Sequence, residues 1–448
     1  MTKNLNYPDR LPLPCTYLCW THLERTNWSE IQPPTCRYEQ LLQLLPLPLL
    51  NHSDTLLISE TTYPLVRNTR QLLKMQEGKN FPLPLLPDAM HHTPLLKSFA
   101  WNKDLYAKAK RSGYTPVASW RSSLKLTEQA VTAAHTLNSK DFLQTYYSKS
   151  PHLNRELSSA TFSTIHDILA HIATLEQKQK VKQDQSWRLK PLFSHAGRQQ
   201  MLISQSYIQA MQGKLEKLKQ WLTRCRIDAS CPVGVIEENK ERYADVSTFW
   251  EILPLDPQGF THQNNMEEAV APEVSINAIG YSLSHVSSQG KYLGGTLLRE
   301  TESVHSCNAP DLSTQAQRMW AETIYKHLRQ TTTPSSNDIS KDEILTALAS
   351  HLKDLVDPSC NALFSMIVKS GYIGPVTIDA YFTREKEQLH SNQEPALIIL
   401  PCDLNARMSF GRIMLEVLFK EKKACNASQS DIKKDFLTSE LNLDILLY

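Results

Sequence analysis

The stretch ALIILPCDLNARMSFGR, residues 396–412, runs from an apolar block into Asp403, Asn405, Arg407 and Arg412. A second apolar stretch, GPVTIDAYF at 374–382, precedes it across a polar segment, 383–395. Read as strands, the two define a β-hairpin with a polar end. Alternation puts Val376, Ile378, Ala380 and Phe382 on one face and Thr377, Asp379 and Tyr381 on the other. Asp403 and Asn405, two apart, share a face as the second strand emerges. If the strands pair, Asp379 approaches both. Two carboxylates and an amide oxygen are hard oxygen donors, suited to Mg²⁺ beside phosphates. The competing reading is plain: an acidic residue after an apolar strand is commonly a turn former.

Working outward, WRLKPLFSHAGRQQ (187–200) alternates Trp187 and Leu189 with Arg188 and Lys190. A lysine on such a strand must reach a charge or water, so Lys190 either meets an anion or snorkels to solvent. The loop 194–200, with Gly197, could present backbone N–H groups to phosphate. PVGVIEENKERYADVS (232–247) then carries Glu237 and Glu238 at the end of an apolar strand, with Asp245 beyond. Further upstream, helical spacing from 131 breaks at Asn138-Ser139, and Lys140 opens the next helix. A lysine there is either a ligand for an anion or simply solvated.

Bulk properties set the frame. A chain of 448 residues is long for one core, and 41% hydrophobic with 21% charged residues is the composition of a soluble globular protein. The net charge is +2, with 48 basic and 46 acidic residues. This near balance argues against a polyanion-binding surface, and the basic run KLEKLKQWLTRCR alternates with acids as a solvated helix does. No nucleic-acid partner is expected. The cysteines lack zinc-site spacing, the first residues are polar and proline-broken, and LLQLLPLPLL (41–50) is too short to span a bilayer. A cytoplasmic protein without a membrane segment is expected. Only 13 glycines are present, so a glycine-rich phosphate loop is not on offer.

Residues 1–130 alternate short apolar runs, turns and helical patterns, including the helix 103–114 ending at Gly113, as a small α/β domain does. From 131 to 230 three helices, a strand and a strand-to-helix passage follow. From 231 the chain is β-rich, with helices near 313–330 and 342–356 and a charged tail after 420.

The order of these features resembles the ATP-grasp superfamily: Lys140 in LNSK, Lys190 in LKPLFSHAG, Glu237 in VIEE, then TIDAYF and DLNARMSFGR. The last two are similar to motifs of an uncharacterised bacterial ATP-grasp-like group, over about residues 98–420. The resemblance implies a fold of α/β and α+β parts. A pre-ATP-grasp α/β domain (1–130) would precede a lysine-bearing ATP-grasp subdomain (131–230) and a metal-binding one with a helical tail (231–448). It implies ATP and Mg²⁺, with Mn²⁺ as a substitute, and small-molecule carboxylate and amine substrates joined through an acylphosphate. By position, Lys140, Lys190 and Gly197 match the nucleotide-phosphate elements and Glu237 the base-binding hinge. Asp379, Asp403 and Asn405 match the metal ligands. Arg407 matches the arginine facing the transferred phosphoryl or acyl group. Asp403 stands where the family usually carries glutamate. The alternative is therefore an ATP-grasp-like module that binds nucleotide or a partner without turnover.

Overall fold

A computed structural model describes the segments 15–18, 44–46, 55–57, 95–111, 113–121, 124–149, 159–178, 185–193, 200–204, 215–225, 232–255, 273–286, 292–298, 362–384 and 397–417, with a few positions between them. Gly197, the stretches around 313–330 and 345–356, and the tail after 420 lie outside the described residues. The architecture is mixed α/β and α+β, built on three sheets.

The first sheet is parallel, in the order β2-β1-β3-β4, from β1 (Cys15–Leu18), β2 (Thr55–Leu57), β3 (Leu95–Ser98) and β4 (Thr115–Pro116). Helix α1 (Lys103–Arg111) joins β3 to β4. It ends on Gly113 at φ +82°, with Tyr114 N donating to Ala109 O and Gly113 N to Lys110 O. This pair of bonds is the Schellman closure that glycine alone enters without strain. Helix α2 (Glu128–Asn138) starts on Thr127, whose hydroxyl accepts from Ala130 N, and Ser139 separates it from α3 (Lys140–Lys149).

The second sheet is antiparallel, in the order β5-β8-β6-β7: β5 (Ser159–Phe162), β6 (Ser186–Pro191), β7 (Met201–Ser204) and β8 (Gly234–Glu238). Helices α4 (Ile165–Lys178) and α5 (Leu215–Cys225) cover one face. Trp187 and Leu189 bury there against Ile168, Leu218 and Trp221, which sends Arg188 and Lys190 to the opposite face, as the alternation requires. Gly234 is forced by packing, because a Cβ would sit 2.2 Å from Lys190 O.

The third sheet has five antiparallel strands in the order β11-β10-β9-β12-β13: β9 (Ala244–Pro254), β10 (Val274–Val286), β11 (Tyr292–Leu298), β12 (Gly374–Arg384) and β13 (Leu397–Asn405). Its core takes Ala134 and Leu137 of α2, Leu143 and Tyr147 of α3, and Leu363, Phe364 and Ile367 of α6 (Ala362–Lys369). After β13 the chain turns into helix α7 (410–417), where Met408, Ile413 and Val417 pack against Leu95, Phe99 and Trp120. The turn 406–409 is thereby held between the parallel sheet and the five-stranded one. No helix among the described residues is long and apolar enough to cross a membrane.

Candidate active site

β12 and β13 pair antiparallel, with Asp379 opposite Asp403 and Thr377 opposite Asn405. The register then slips, so that Ala380 faces Pro401 and Cys402 is the extra residue of a bulge. A bulge re-aims the side chains beyond it. Here it brings Asp403 onto the Asp379 side, after a run in which Ile399 and Pro401 lie opposite Phe382 and Ala380.

Asp379 accepts from Ser247 Oγ of β9 at 2.6 Å through Oδ1 and from Asn405 Nδ2 at 2.9 Å through Oδ2. Burial pushes its carboxyl up to about 6, the negative charge of Asp403 adds to this, and Ser247, Lys140 and Arg407 oppose it. The Asn405 amide is oriented by Arg407, whose Nη2 donates to Oδ1 at 2.5 Å. The Arg407 guanidinium lies 5.6 Å from the centre of the Phe99 ring at the end of β3. Met408 N donates to Phe99 O at 2.9 Å, fastening the turn to the parallel sheet.

Lys140 forms an ion pair with Asp403 across from α3. The corner before it is clamped on the same turn: Ala406 N donates to Asn138 Oδ1 at 2.9 Å, and Asn138 Nδ2 lies 3.4 Å from Ala406 O. Lys190, on β6, pairs with Glu237 of β8 at 2.5 Å and donates to Cys402 O at 3.3 Å. Both lysines are buried. Burying an ammonium without an anion is prohibitive, so each holds a carboxylate.

Between them lies a narrow cleft, lined by Lys140, Gln144, Tyr147, Lys190, Glu237 and Cys402 among others. Its walls come from α3, both antiparallel sheets and the bulge. Arg242, in the connection from β8 to β9, spans the back. It lies 3.8 Å from Glu237, 3.1 Å from Asp245 and 4.2 Å from the Tyr381 ring centre. Burial pulls the Arg242 guanidinium down, but Cys402, Asp245, Tyr381 and Glu237 together push it above its ordinary value. The Cys402 thiol is pushed up to about 12 by burial, which removes it as a nucleophile at neutral pH.

The structure thus brings Lys140, Lys190 and Glu237 to the cleft, and Asp379, Asp403, Asn405 and Arg407 to a cluster joined to it by the Lys140–Asp403 pair. Asn138, Tyr147, Arg242 and Ser247 also belong to the site, and sequence reasoning did not single them out. Asn138 stood beside Lys140 in LNSK, and Ser247 ends the YADVS stretch, but neither carries a pattern that marks it as polar inward. Asp245 is an ion-pair partner of Arg242 within β9. Among the described residues, no three His, Cys, Asp or Glu side chains gather as a metal cluster. The oxygen donors at hand are the two carboxylates and one amide.

No family model matches the chain, and no curated protein matches it. Among solved structures, it is similar to N5-carboxyaminoimidazole synthetase from Staphylococcus aureus complexed with ADP, at 10% identity over 91% of this chain and 77% of that one, TM-score 0.40. It is similar to a biotin carboxylase–ATP complex from Campylobacter jejuni, at 8% identity over 96% and 74%, TM-score 0.42. A third is D-alanyl-alanine synthetase A from Vibrio cholerae, at 9% identity over 92% and 98%, TM-score 0.38.

Proposed function

We propose that the cleft binds ATP with a divalent cation, and that the chain is an ATP-dependent carboxylate–amine ligase. One observation carries the reading. Two buried lysines line a cleft between two sheets, and the Lys140–Asp403 ion pair joins that cleft to a paired-carboxylate, amide and arginine set at β12, β13 and the turn after it. The domain division at about 130 and 230 belongs to the same proposal, as does a cytoplasmic setting.

The donor set fits Mg²⁺. Asp379 and Asp403 are adjacent like charges; burial raises Asp379 most, and the charge of Asp403 adds to it. Asp379, Asp403 and Asn405 would hold the ion, with Asn405 turning its amide oxygen inward. Bound there, the ion would neutralise charge on the phosphates and on the transferred phosphoryl group. Lys140 and Lys190 would exchange their present carboxylate partners for phosphate oxygens. Glu237, at the end of β8, would face the nucleoside. Arg407, already anchored through Asn405 and beside Phe99, would hold the acyl substrate or the phosphoryl in transit.

The reaction would proceed in two displacements. A substrate carboxylate oxygen attacks the γ-phosphorus and ADP leaves. An amine nitrogen then attacks the acyl carbon of the acylphosphate, phosphate leaves, and the nitrogen loses a proton. ATP with Mg²⁺ is expected to raise the melting temperature of the chain, and Asp379→Ala or Asn405→Ala to abolish that rise. Absence of any nucleotide-dependent rise with Mg²⁺ or Mn²⁺ would sink the proposal. Asp403, with the shorter side chain and a lysine already on it, favours a second reading: nucleotide binding without turnover. ADP release on adding pooled carboxylates and amines separates the two.

A further inference from the structure

Lys140 is an unusual residue to find where it is. It opens α3, where the exposed N–H groups and the helix dipole favour an acidic side chain, as Asp141 supplies. A cation there costs helix stability, and it is buried besides. Its compensation is the ion pair with Asp403, one of the two carboxylates that face each other across β12 and β13. The corner that carries it cannot drift, because Asn138 holds both backbone groups of Ala406. What can move is the four-carbon stem of the lysine, a flexible arm with a point charge at its end. Asp403 is also the more open partner, with 25% of its side chain exposed against 6% for Lys140.

This ammonium sits where a divalent cation would need to be. It occupies a carboxylate oxygen and places a positive charge beside the pair, so a metal ion arriving alone meets repulsion and must displace it. A polyphosphate changes the balance by offering the ammonium another anion within the same cleft. We infer that Lys140 is a displaceable counter-ion that keeps Asp403 closed to divalent cations until a polyphosphate draws the ammonium away. The inference rests on the metal–nucleotide reading of the cleft. It adds a consequence that reading lacks: the free ion is refused, and metal and nucleotide enter together.

The test is binding of Mn²⁺ alone, read from the electron paramagnetic resonance signal of the unbound ion, on the full chain without nucleotide. Circular dichroism first establishes that each variant is folded. K140M and K140Q are expected to bind Mn²⁺ about tenfold or more tightly than the unmodified chain, the gain from freeing a carboxylate that is paired roughly nine-tenths of the time. That gain should vanish in K140M/D403N. K190M removes a nearby charge of the same sign but leaves the Lys140–Asp403 pair in place, so its gain should be far smaller. Equal affinity in K140M and the unmodified chain overturns the inference. So does an equal gain in K190M, which would reduce the effect to the general field of the cleft. Failure of the nucleotide reading registers separately, as a chain that binds no ATP with either metal, whatever the Mn²⁺ series shows.

Discussion

Two sets of buried charge flank the turn 403–412, and they are built differently. On one side Arg412 is 1% exposed and Glu251, in the middle of β9, 0%. Arg412 Nη2 pairs with Glu251, Nη1 donates to Trp250 O at 3.0 Å, and Nε donates to Glu416 Oε1 at 2.8 Å. Arg121, from the parallel-sheet part of the chain, donates to the same Glu416 oxygen at 2.6 Å. On the other side stand Lys140–Asp403 and Lys190–Glu237, at the cleft. The first set uses guanidinium forks whose geometry is fixed, centred on Arg412 and Glu251, which water does not reach. The second uses buried lysines on flexible stems, with Asp403 as its exposed partner. Arginine forks fix a structure; lysine point charges can be traded for another anion. The difference separates a scaffold from a site.

The sharpest way to break that comparison is to remove Arg412. R412M leaves Glu251 without a counter-charge in a dry interior and Glu416 with Arg121 alone. The expected cost is about 3–5 kcal/mol of unfolding free energy, read from the urea midpoint at constant slope. Glu251 Oε1 already has no hydrogen-bond partner among the described residues, so the network has no spare donor to recruit. If R412M unfolds at the same urea concentration as the unmodified chain, the scaffold reading fails.

A smaller effect comes from pH. Burial alone would raise the Glu416 carboxyl, but Arg121 and Arg412 outweigh it and hold the group below its ordinary 4.5. The folded value is therefore the depressed one. Its contribution is fully present above the unfolded value and is lost as pH falls from about 4.5 through the lower folded value. E416Q should flatten that part of the acid limb in a pH series of urea midpoints. An acid limb identical in E416Q would show that the arginines do not hold this carboxylate in solution.

How far the sequence reveals this arrangement follows from the same physics. Strand alternation exposes Lys190 against Trp187 and Leu189, because a period of two is local and the apolar partners are unmistakable. The hairpin of β12 and β13 is legible for that reason, as are Asp379, Asp403 and Asn405 at its end. The bulge at Cys402 is not, since one extra residue in a ladder leaves no compositional mark. Alternation alone would put Asp403 on the same side as Ile399 and Pro401; only the slip brings it to Asp379. Nor is the clamp from Asn138 to Ala406 visible, because it joins residues 268 apart in the chain. In the sequence Arg412 is only one more charge close to Asp403, whereas its acids come from β9 and α7, and burial to 1% is a property of the packed whole.

The smallest expected effect is the one that decides between the two sets. K140M also removes one partner of an ion pair, and on the rule that governs Arg412 it should be severe. It should not be. Asp403 is one-quarter exposed, so once unpaired it can take water from the cleft. The substitution also removes a cation from the N-terminus of α3, where it opposes the helix dipole. K190M is expected to cost more than K140M but less than R412M, because Glu237 is only 9% exposed yet retains Arg242 at 3.8 Å. K140M is expected to shift unfolding by no more than about 1 kcal/mol, the scale of a solvent-accessible pair, and both variants to weaken nucleotide binding by about tenfold or more through a lost charge-assisted contact. A loss near that of R412M would place the cleft lysines in the scaffold as well. Stability kept while binding falls would mark their buried charge as held for a ligand, at a position where the fold itself does not require it.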